Sequence, residues 1–490
     1  MSAIAQQRSQ LQTASLGLIA AVSAIAVTIV IHDGTAASGY ALFWVALLAL
    51  AAFSALVCTR PLVTFTVALI FMTSPFPLLL SLPQSALISG LLLGGATVGF
   101  VLRTPLRSMA PDPLLFPMAI FATYGVLSAV YGLWLGNELG YVLGDCFQVI
   151  EFSVAYFLVS QLLNDRGKGH IVLRWLLISI LITILLELSL FVLGSTAGDI
   201  LPSWEGSSVS EVLVRTIDID ATILFAMLVN LYPAATSSQQ RFWICVALIA
   251  TVANIVLSLS RGIWLCTLIA ASVSMALQAR NMRKRLLAAS VLAGICVVLF
   301  ATAWKIGPES DGNLMSVIEE RLFRGVDQVE SGLAGRESMA TRRFLEATII
   351  WPQVLAKPWI GHGLGATYVI GGFGVLDSGT NAQIDHHFIH NLYLVTAFRM
   401  GFIGLGLLLW MLFRYFRTIL RASAKMPVDV NRALVIGLIA SIVGQLFLSF
   451  TQPTVIDHPT CALIACAMAF SCRLAKSPAS SESMALQGSA

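Results

Sequence analysis

Long apolar runs alternate with short polar connections along most of this chain of 490 residues. A membrane-spanning helix needs roughly 20 mainly apolar residues, because the hydrocarbon core of a bilayer is about 30 Å thick. About fourteen runs approach that length, at approximate positions 15–32, 41–58, 61–81, 86–102, 114–134, 146–163, 171–193, 218–235, 242–259, 262–278, 286–304, 391–413, 433–451 and 456–472. The pattern predicts an all-α polytopic integral membrane protein with about 12 to 14 transmembrane helices.

One long interval, 305–389, interrupts these runs and predicts the single large loop of the protein. Apolar positions recur at helical spacing over 314–326 and again over 344–351, so the pattern predicts two amphipathic helices within the loop. The glycine-rich stretch 361–374 predicts a non-helical segment, and a helix that starts near His390 is expected to return the chain to the membrane.

The runs and the loop divide the chain into five predicted segments. These are N-terminal transmembrane helices over 1–210, transmembrane helices with outer-face arginines over 211–304, the large extramembrane loop over 305–389, C-terminal transmembrane helices over 390–472, and a disordered cytoplasmic tail over 473–490.

Composition excludes a soluble domain of this size, since 57% of the residues are hydrophobic, only 11% are charged, and the mean hydropathy is +0.85. The eight cysteines lie in or beside apolar runs, which argues against a disulfide framework or a zinc site. The first apolar run follows a segment with a single Arg and lacks a clear small-residue cleavage site, so we expect a signal anchor.

Basic residues indicate the orientation. With the N-terminus inside, 19 of the 29 Lys and Arg residues fall in cytoplasmic connections or the tail. This topology predicts that the loop over 305–389 lies outside the cytoplasm. Arg215 and Arg261 are the two exceptions among the short connections, and they need another explanation.

Arg215 and Arg261 are candidate anion ligands. A lone arginine beside apolar sequence is costly unless an anionic partner lies nearby. Guanidinium groups grip phosphate through paired hydrogen bonds, so two that converge would hold a diphosphate. The alternative is structural: Arg261 snorkels to the outer headgroups or forms an ion pair, and Arg215 pairs with Glu211, Asp218 or Asp220.

Four of the seven histidines lie in the stretch that ends the loop. His390, next to Asn391, is the strongest candidate base, because imidazole titrates near neutral pH and a hydroxyl nucleophile must lose its proton. For His362, His386 and His387 we favour a structural role, because a histidine at a membrane interface is usually a polar anchor. The spacing of the four matches no standard metal site, so no metal or other cofactor is expected.

Four short motifs occur in order along the chain: VRTIDIDATILFAMLVNLYP, then S-x-S-R-G-x-W-L, then PWIGHGLG, then HNLYL followed by RMGFIGLG. In this order, over about residues 210–415, the chain resembles the O-antigen ligase and Wzy-type polymerase superfamily. The N-terminal helices resemble that superfamily only in being hydrophobic.

The resemblance implies a metal-independent, inverting glycosyltransferase with a GT-C-like fold, which takes a glycan from undecaprenyl diphosphate at the periplasmic face of the bacterial inner membrane. By the same resemblance, Arg215 and Arg261 would bind the lipid diphosphate, and His390 would activate or orient the acceptor hydroxyl. Further substrate contacts are expected from Arg342, Arg343, His386, His387 and Asn391.

Several functions remain open at this level. We favour polymerisation of repeat units in exopolysaccharide or O-antigen synthesis, with a lipid-linked glycan acceptor and with chain-length regulator or export proteins as further partners. The alternatives are transfer of finished polymer to lipid A core, protein glycosylation, a membrane solute transporter, and a non-catalytic scaffold. A nucleic-acid partner is not expected.

Overall fold

The computed structural model describes residues 61–73, 82–104, 111–163, 166–193, 209–257, 261–278, 339–369, 385–450, 453 and 460–476. The predicted apolar runs at 15–32, 41–58 and 286–304 lie outside these ranges, as do the predicted loop helix over 314–326 and the tail beyond 476. The division into five segments stays a prediction.

The described chain is almost entirely helical. Its helices are α1 (Pro61–Thr73), α2 (Leu82–Arg103), α3 (Leu115–Trp134), α4 (Leu139–Leu162), α5 (Arg166–Leu193), α6 (Val209–Leu231), α7 (Ser238–Leu257), α8 (Arg261–Leu277), α9 (Met339–Ala356), α10 (Leu392–Lys425), α11 (Val430–Leu448) and α12 (Thr460–Lys476). A short 3-10 turn, Tyr232–Ala234, follows α6. Two short strands, β1 (Tyr368–Val369) and β2 (Asp385–His386), form one antiparallel pair, in which Tyr368 faces His386.

Five of the described helices are long and apolar enough to cross a membrane: α3, α4, most of α7, α10 and α11. Shorter apolar segments lie in α1, α2, α5, α6, α8 and α12. The prediction of an all-α polytopic membrane protein is therefore confirmed, and the amphipathic loop helix predicted over 344–351 is present as α9.

The helix predicted over 391–413 extends to Lys425. Its apolar run ends where arginines begin, but arginine and lysine are good helix formers and are favourable near a helix C-terminus. The helix therefore continues past the end of its apolar run.

The loop-bearing end of the helix bundle is named here the loop face. It comprises the α3–α4 turn at 135–138, the segment 358–369 and the segment 385–391. The side-chain amide of Asn137 donates to the carbonyl oxygens of His362 and Leu364 at 3.1 and 3.0 Å, which joins the turn to the second segment. The other end of the bundle, where α3 begins and α10 ends, is the opposite face.

Helix α10 is interrupted at Gly401, which has φ +66° and ψ −176°. Such a break frees backbone carbonyls that a continuous helix would pair internally. The carbonyls of Phe398 and Arg399 instead accept hydrogen bonds from the backbone N–H groups of His362 and Gly363, both at 2.9 Å. The PWIGHGLG motif thus caps the first part of α10.

The same motif also begins the second part of α10. The backbone N–H of Phe402 donates to the carbonyl of Pro358 at 2.7 Å, and that of Ile403 donates to the carbonyl of Trp359 at 3.2 Å. Because the freed groups on both sides of Gly401 find partners in one segment, PWIGHGLG and RMGFIGLG form a single packing unit.

Two glycines allow this close approach. A Cβ on Gly401 would lie 2.2 Å from the carbonyl oxygen of Trp359, and one on Gly363 would lie 2.4 Å from the Cα of Gly132. Both residues have positive φ, a backbone region that other residues rarely adopt. Backbone therefore contacts backbone at both positions, with no space for a side chain.

We expect Gly363→Ala to destabilise the protein by about 2 to 5 kcal/mol, the sum of the left-handed backbone penalty and overpacking against Gly132. The measurement is thermal unfolding of the purified chain in detergent. Gly94→Ala is the matched control, because a Cβ at Gly94 meets nothing within 4 Å. Equal unfolding midpoints for the two variants would contradict the packing described here.

A small apolar cluster packs between α9, β1 and the first part of α10, next to the loop face. It contains Ile350 and Val354 of α9, Tyr368 of β1, and Ile389 and Phe398. Ile350 and Val354 lie one helical turn apart, and Glu346 lies one turn before them on the same face of α9. The amphipathic pattern of α9 therefore directs a carboxylate to the edge of this cluster.

Candidate active site

His390 is held at two atoms by one buried carboxylate. Glu346 Oε2 lies 3.0 Å from Nδ1 of His390, and Glu346 Oε1 accepts the backbone N–H of His390 at 3.0 Å. The side chain of Glu346 is 9% exposed and that of His390 is 43% exposed. The carboxylate is thus withdrawn from solvent, while the imidazole remains accessible.

This arrangement selects one state of the neutral imidazole. A carboxylate accepts a hydrogen bond, so the proton of a neutral His390 belongs on Nδ1, which leaves the lone pair of Nε2 free. A buried carboxylate that fixes the tautomer and orientation of a histidine is the arrangement found behind many general bases. In that tautomer, Nε2 of His390 has a lone pair that can accept a hydrogen bond.

Asn391, predicted as a substrate contact, is the N-cap residue of α10. Its Oδ1 accepts the backbone N–H groups of Tyr393 and Leu394 at 2.9 and 3.0 Å. Such a cap satisfies donors that the first helical turn leaves unpaired. The cap fixes the point at which α10 begins, and thereby the position of His390 directly before it.

A second polar cluster lies at the loop face around Asp145. Its Oδ1 is 2.8 Å from Nη1 of Arg399 and 3.3 Å from Nε2 of His387, and its Oδ2 accepts the backbone N–H of Gly365 at 2.7 Å. Nη2 of Arg399 donates to the carbonyl oxygen of His387 at 2.5 Å. Asp145 thus ties α4, α10 and both loop-face segments together.

His387 also stacks on Tyr141, with ring centroids 4.0 Å apart and an interplanar angle of 10°. Tyr141 and Asp145 are four residues apart on α4, so they share one helix face and both reach His387. With its ring stacked and its Nε2 beside a carboxylate, His387 is more constrained than His390. His387 is 24% exposed at the side chain, which leaves a substrate contact at its edge as a prediction.

His362 is part of the packing unit beneath the loop. Its Nε2 lies 2.9 Å from the carbonyl oxygen of Gln353, and its ring stacks on Phe398 with centroids 4.8 Å apart. Burial lowers the pKa of His362, the hydrogen bond that its imidazole donates to the carbonyl of Gln353 opposes this shift, and the charge of Lys357 adds a smaller lowering. His362 is therefore neutral near pH 7.

Tyr368 has a pKa raised to about 12, first by burial and then by the negative charge of Glu346. The phenol is accordingly protonated near neutral pH. His386, the remaining predicted histidine, pairs with Tyr368 across the two-stranded ladder, which places its backbone beside Tyr368.

The two predicted diphosphate ligands lie on neighbouring parallel helices. The side chains of Cys266 and Thr222 form a hydrogen bond, and the amide of Asn230 donates to the hydroxyl of Ser274 at 2.9 Å. The partners are 44 residues apart in the sequence in both pairs. A constant separation means that α6 and α8 run parallel, with each residue of α6 beside the residue of α8 that lies 44 positions later. Position 215 is seven residues before Thr222, and position 261 is five residues before Cys266.

At about 1.5 Å per residue, Arg215 and Arg261 lie about 10 and 8 Å from that contact along the helix axes. Their backbones therefore reach nearly the same level at the same end of the bundle.

Helix α11 connects this level with His390. The amide of Gln445 donates to the hydroxyl of Thr222 on α6, and the carbonyl of Ser449 accepts the backbone N–H of Leu392 at 2.9 Å. The end of α11 thus lies between the arginine-bearing helices and the start of α10. The backbones of Arg215 and Arg261 therefore lie at the same end of the bundle as His390.

Arg342 and Arg343 lie on α9, one turn before Glu346. Their backbone positions place them beside the residue that holds His390, as expected of residues that contact the same substrate. That role stays a prediction.

Within the described residues, no three His, Cys, Asp or Glu side chains gather to hold a metal ion, and metal independence likewise stays a prediction.

Sequence reasoning missed Glu346, Asp145 and Arg399. The available signal was a charge within an otherwise apolar helix face, because charged residues inside membrane segments are costly without a partner. Asp145 is a carboxylate within the apolar helix α4, and Arg399 is a cation within α10. Their sequence separation is 254 residues, so neither identifies the other from local spacing.

Residues 246–411 match the family described as O-antigen ligase. No curated protein sequence matches the chain. The matched span includes Arg261, the PWIGHGLG and RMGFIGLG packing unit, and both Glu346 and His390. Arg215 lies before it. Over residues 246–411 the chain is therefore similar to the O-antigen ligase family, which supports the resemblance to the O-antigen ligase and Wzy-type superfamily.

Proposed function

We propose that the chain is a glycosyltransferase of surface polysaccharide synthesis, which transfers or polymerises glycan repeat units from an undecaprenyl diphosphate-linked donor. The reaction takes place at the loop face, on the periplasmic side of the bacterial inner membrane. The family match supports the coarser statement, a ligase- or polymerase-type membrane enzyme. The donor, the face and the roles of individual residues are our proposal.

The observation that carries the proposal is the pairing of Glu346 with His390. A transfer from a lipid diphosphate needs a base for the acceptor hydroxyl, because the hydroxyl is a weak nucleophile while it keeps its proton. Glu346 holds the proton of His390 on Nδ1 and leaves Nε2 to receive the acceptor proton. The partly exposed imidazole can meet an acceptor that arrives from outside the bilayer.

The remaining steps follow from the chemistry of the donor. The acceptor oxygen forms a bond to the anomeric carbon as its proton passes to Nε2 of His390. The bond between that carbon and the diphosphate oxygen breaks, and its electron pair leaves with the diphosphate. Arg215 and Arg261 stabilise the charge that develops on this leaving group, and a single displacement inverts the anomeric configuration.

The Asp145 cluster has a supporting part in this scheme. Asp145 fixes the segment 385–391 through Arg399 and His387, and that segment positions His390. Catalytic groups must be held within a fraction of an ångström by rigid neighbours. We assign Asp145 and Arg399 to positioning the loop face, not to contact with the reacting atoms.

The function is tested by deletion and complementation in the native host, with surface polysaccharide and lipopolysaccharide separated on a gel. We expect wild type to restore the polymer, whereas Arg261→Ala and His390→Ala do not, at equal membrane expression. Arg241→Ala is the matched control, since Arg241 is exposed and lies at the opposite face, after α6 ends.

The gel also separates the two forms of the enzyme. A null strain that keeps only a single repeat unit identifies a polymerase. Polymer that accumulates on the carrier lipid but is missing from lipid A core identifies a ligase. Normal polysaccharide in the null strain would refute the proposal and favour a transporter.

A further inference from the structure

A basic cavity of about 620 Å³ lies at the opposite face, between α10, the residues before α3, and the end of α12. Arg414, Arg417, Arg421 and Lys425 line it, together with the apolar surfaces of Pro113 and Ala475. Its volume is within the range of cavities that bind small ligands. No residue of the candidate active site lines it.

The four cations occupy one face of α10. Their spacing of three, four and four residues places each one turn from the next, where like charges repel one another. Within the described ranges, none of the four forms an ion pair. The carboxylate of Asp112, beside Pro113, accepts at Oδ1 from the backbone N–H of Leu114 and the hydroxyl of Tyr156, while its Oδ2 is buried without a hydrogen-bond partner in the described part of the chain. Neither oxygen forms an ion pair with the four cations within the described residues.

The helix dipole accounts for only part of this charge. Partial negative charge at a helix C-terminus stabilises cations within the last turn, which here contains Lys425. Arg414 and Arg417 lie two or three turns earlier, beyond the reach of that effect. Arg414 is also half-buried, whereas a cation that serves only solubility would be exposed. An anion in the cavity would satisfy these two groups.

The place of the cavity indicates where the anion comes from. Arg414 to Lys425 lie 13 to 24 residues beyond Gly401, or about 20 to 36 Å along α10, which spans the bilayer. The cavity is therefore at the headgroup level of the leaflet opposite the loop face. Basic pockets between transmembrane helices at this level favour anionic lipid headgroups, and paired guanidinium groups match phosphate oxygens.

We propose that this cavity binds the phosphate group of an anionic phospholipid from that leaflet. Arg414 and Arg417 hold the phosphate oxygens, Arg421 and Lys425 contribute further positive charge, and the apolar surfaces of Pro113 and Ala475 pack against the glycerol and upper acyl carbons. The proposal is independent of the glycosyltransferase reaction and of its residues.

The test uses the purified, delipidated full-length chain in detergent, titrated with phosphatidylglycerol while lipid binding is followed by native mass spectrometry and by the unfolding temperature. Arg417→Gln/Arg421→Gln should raise the half-saturating lipid concentration at least about tenfold, because the charge-assisted hydrogen bond from Arg417 is worth roughly a factor of ten or more and the charge of Arg421 is lost as well. Arg241→Gln, a basic residue at the same face but outside the cavity, should titrate like wild type. The single variant Arg417→Gln should give an intermediate shift if the double variant does not fold.

The comparison ligands identify the source of the phosphate. Phosphatidylcholine should not compete, and neither should inorganic phosphate or glycerol 3-phosphate at the same concentration. Equal lipid titrations for the wild type and the cavity variants would overturn the site. Saturation by inorganic phosphate alone would assign the cavity to a free anion and overturn the lipid proposal.

Discussion

Glu346→Gln should slow glycan transfer by about 10²- to 10⁴-fold, while the protein folds and binds its donor as before. In glutamine, one oxygen can still accept the backbone N–H of His390, which leaves the amide NH₂ next to Nδ1. The NH₂ group donates, so the imidazole proton moves to Nε2, where the acceptor hydroxyl needs a lone pair. The measurement is the transfer rate of purified protein with a lipid-linked donor.

The separate effects on kcat and KM distinguish this role of Glu346 from a structural one. We expect kcat to fall and KM for the donor to stay constant, because Glu346 acts on the base and not on the diphosphate. Glu138→Gln is the matched control, since Glu138 is an exposed acid at the loop face whose side chain forms no cap hydrogen bond. Glu346→Asp should recover part of the rate by restoring an anionic acceptor.

A double variant provides the sharper comparison. Because Glu346 acts through His390, Glu346→Gln/His390→Gln should be no slower than His390→Gln alone. If the rate reduction of the double variant equalled the product of the two single reductions, Glu346 and His390 would act independently, which would contradict this prediction.

Asp145→Asn should destabilise the protein by about 3 to 5 kcal/mol, because it leaves the buried guanidinium of Arg399 without a counter-charge. Both side chains are 7% exposed, so water cannot replace the lost partner. Asparagine still has an oxygen for the N–H of Gly365, so the change mainly tests the ion pair. The measurement is thermal unfolding in detergent, followed by the ellipticity of the helices.

Removal of both charges should recover part of this loss. In Asp145→Asn/Arg399→Met no unpaired buried charge remains, and such double replacements are often tolerated where single ones are not. Full recovery is not expected, because the carbonyl of His387 also loses the donor that Arg399 supplies. A double variant as unstable as the sum of the two single variants would show that the ion pair is not what holds the loop face.

The effect on activity should follow stability in this case. If Asp145 and Arg399 position the loop face, the folded fraction of each variant should still bind the donor. The transfer rate should decrease to the extent that the segment 385–391 is no longer held in place. A complete loss of transfer in a stable Asp145→Asn protein would instead place Asp145 among the groups that contact substrate.

The sequence by itself determined the membrane class and most helices. Apolar runs of spanning length predicted α3 and α11 to within three residues, because residence in a bilayer depends on the hydropathy of consecutive residues. The run predicted at 146–163 missed the first seven residues of α4, Leu139 to Asp145, because they include polar and glycine residues. The helix after the loop and the position of His390 directly before it were also predicted, since an apolar run is a local signal. The family resemblance followed from short motifs and is confirmed.

The tertiary structure alone decided which polar groups meet. Glu346 reaches His390 across 44 residues and Asp145 reaches Arg399 across 254, and no local pattern encodes contacts that form only when helices pack. The break at Gly401 is also a tertiary feature, because it persists where the freed backbone groups of α10 find partners in PWIGHGLG. Hydropathy along the chain thus placed His390 directly before a helix that enters the membrane, and the packing of distant segments placed the carboxylate of Glu346 against it.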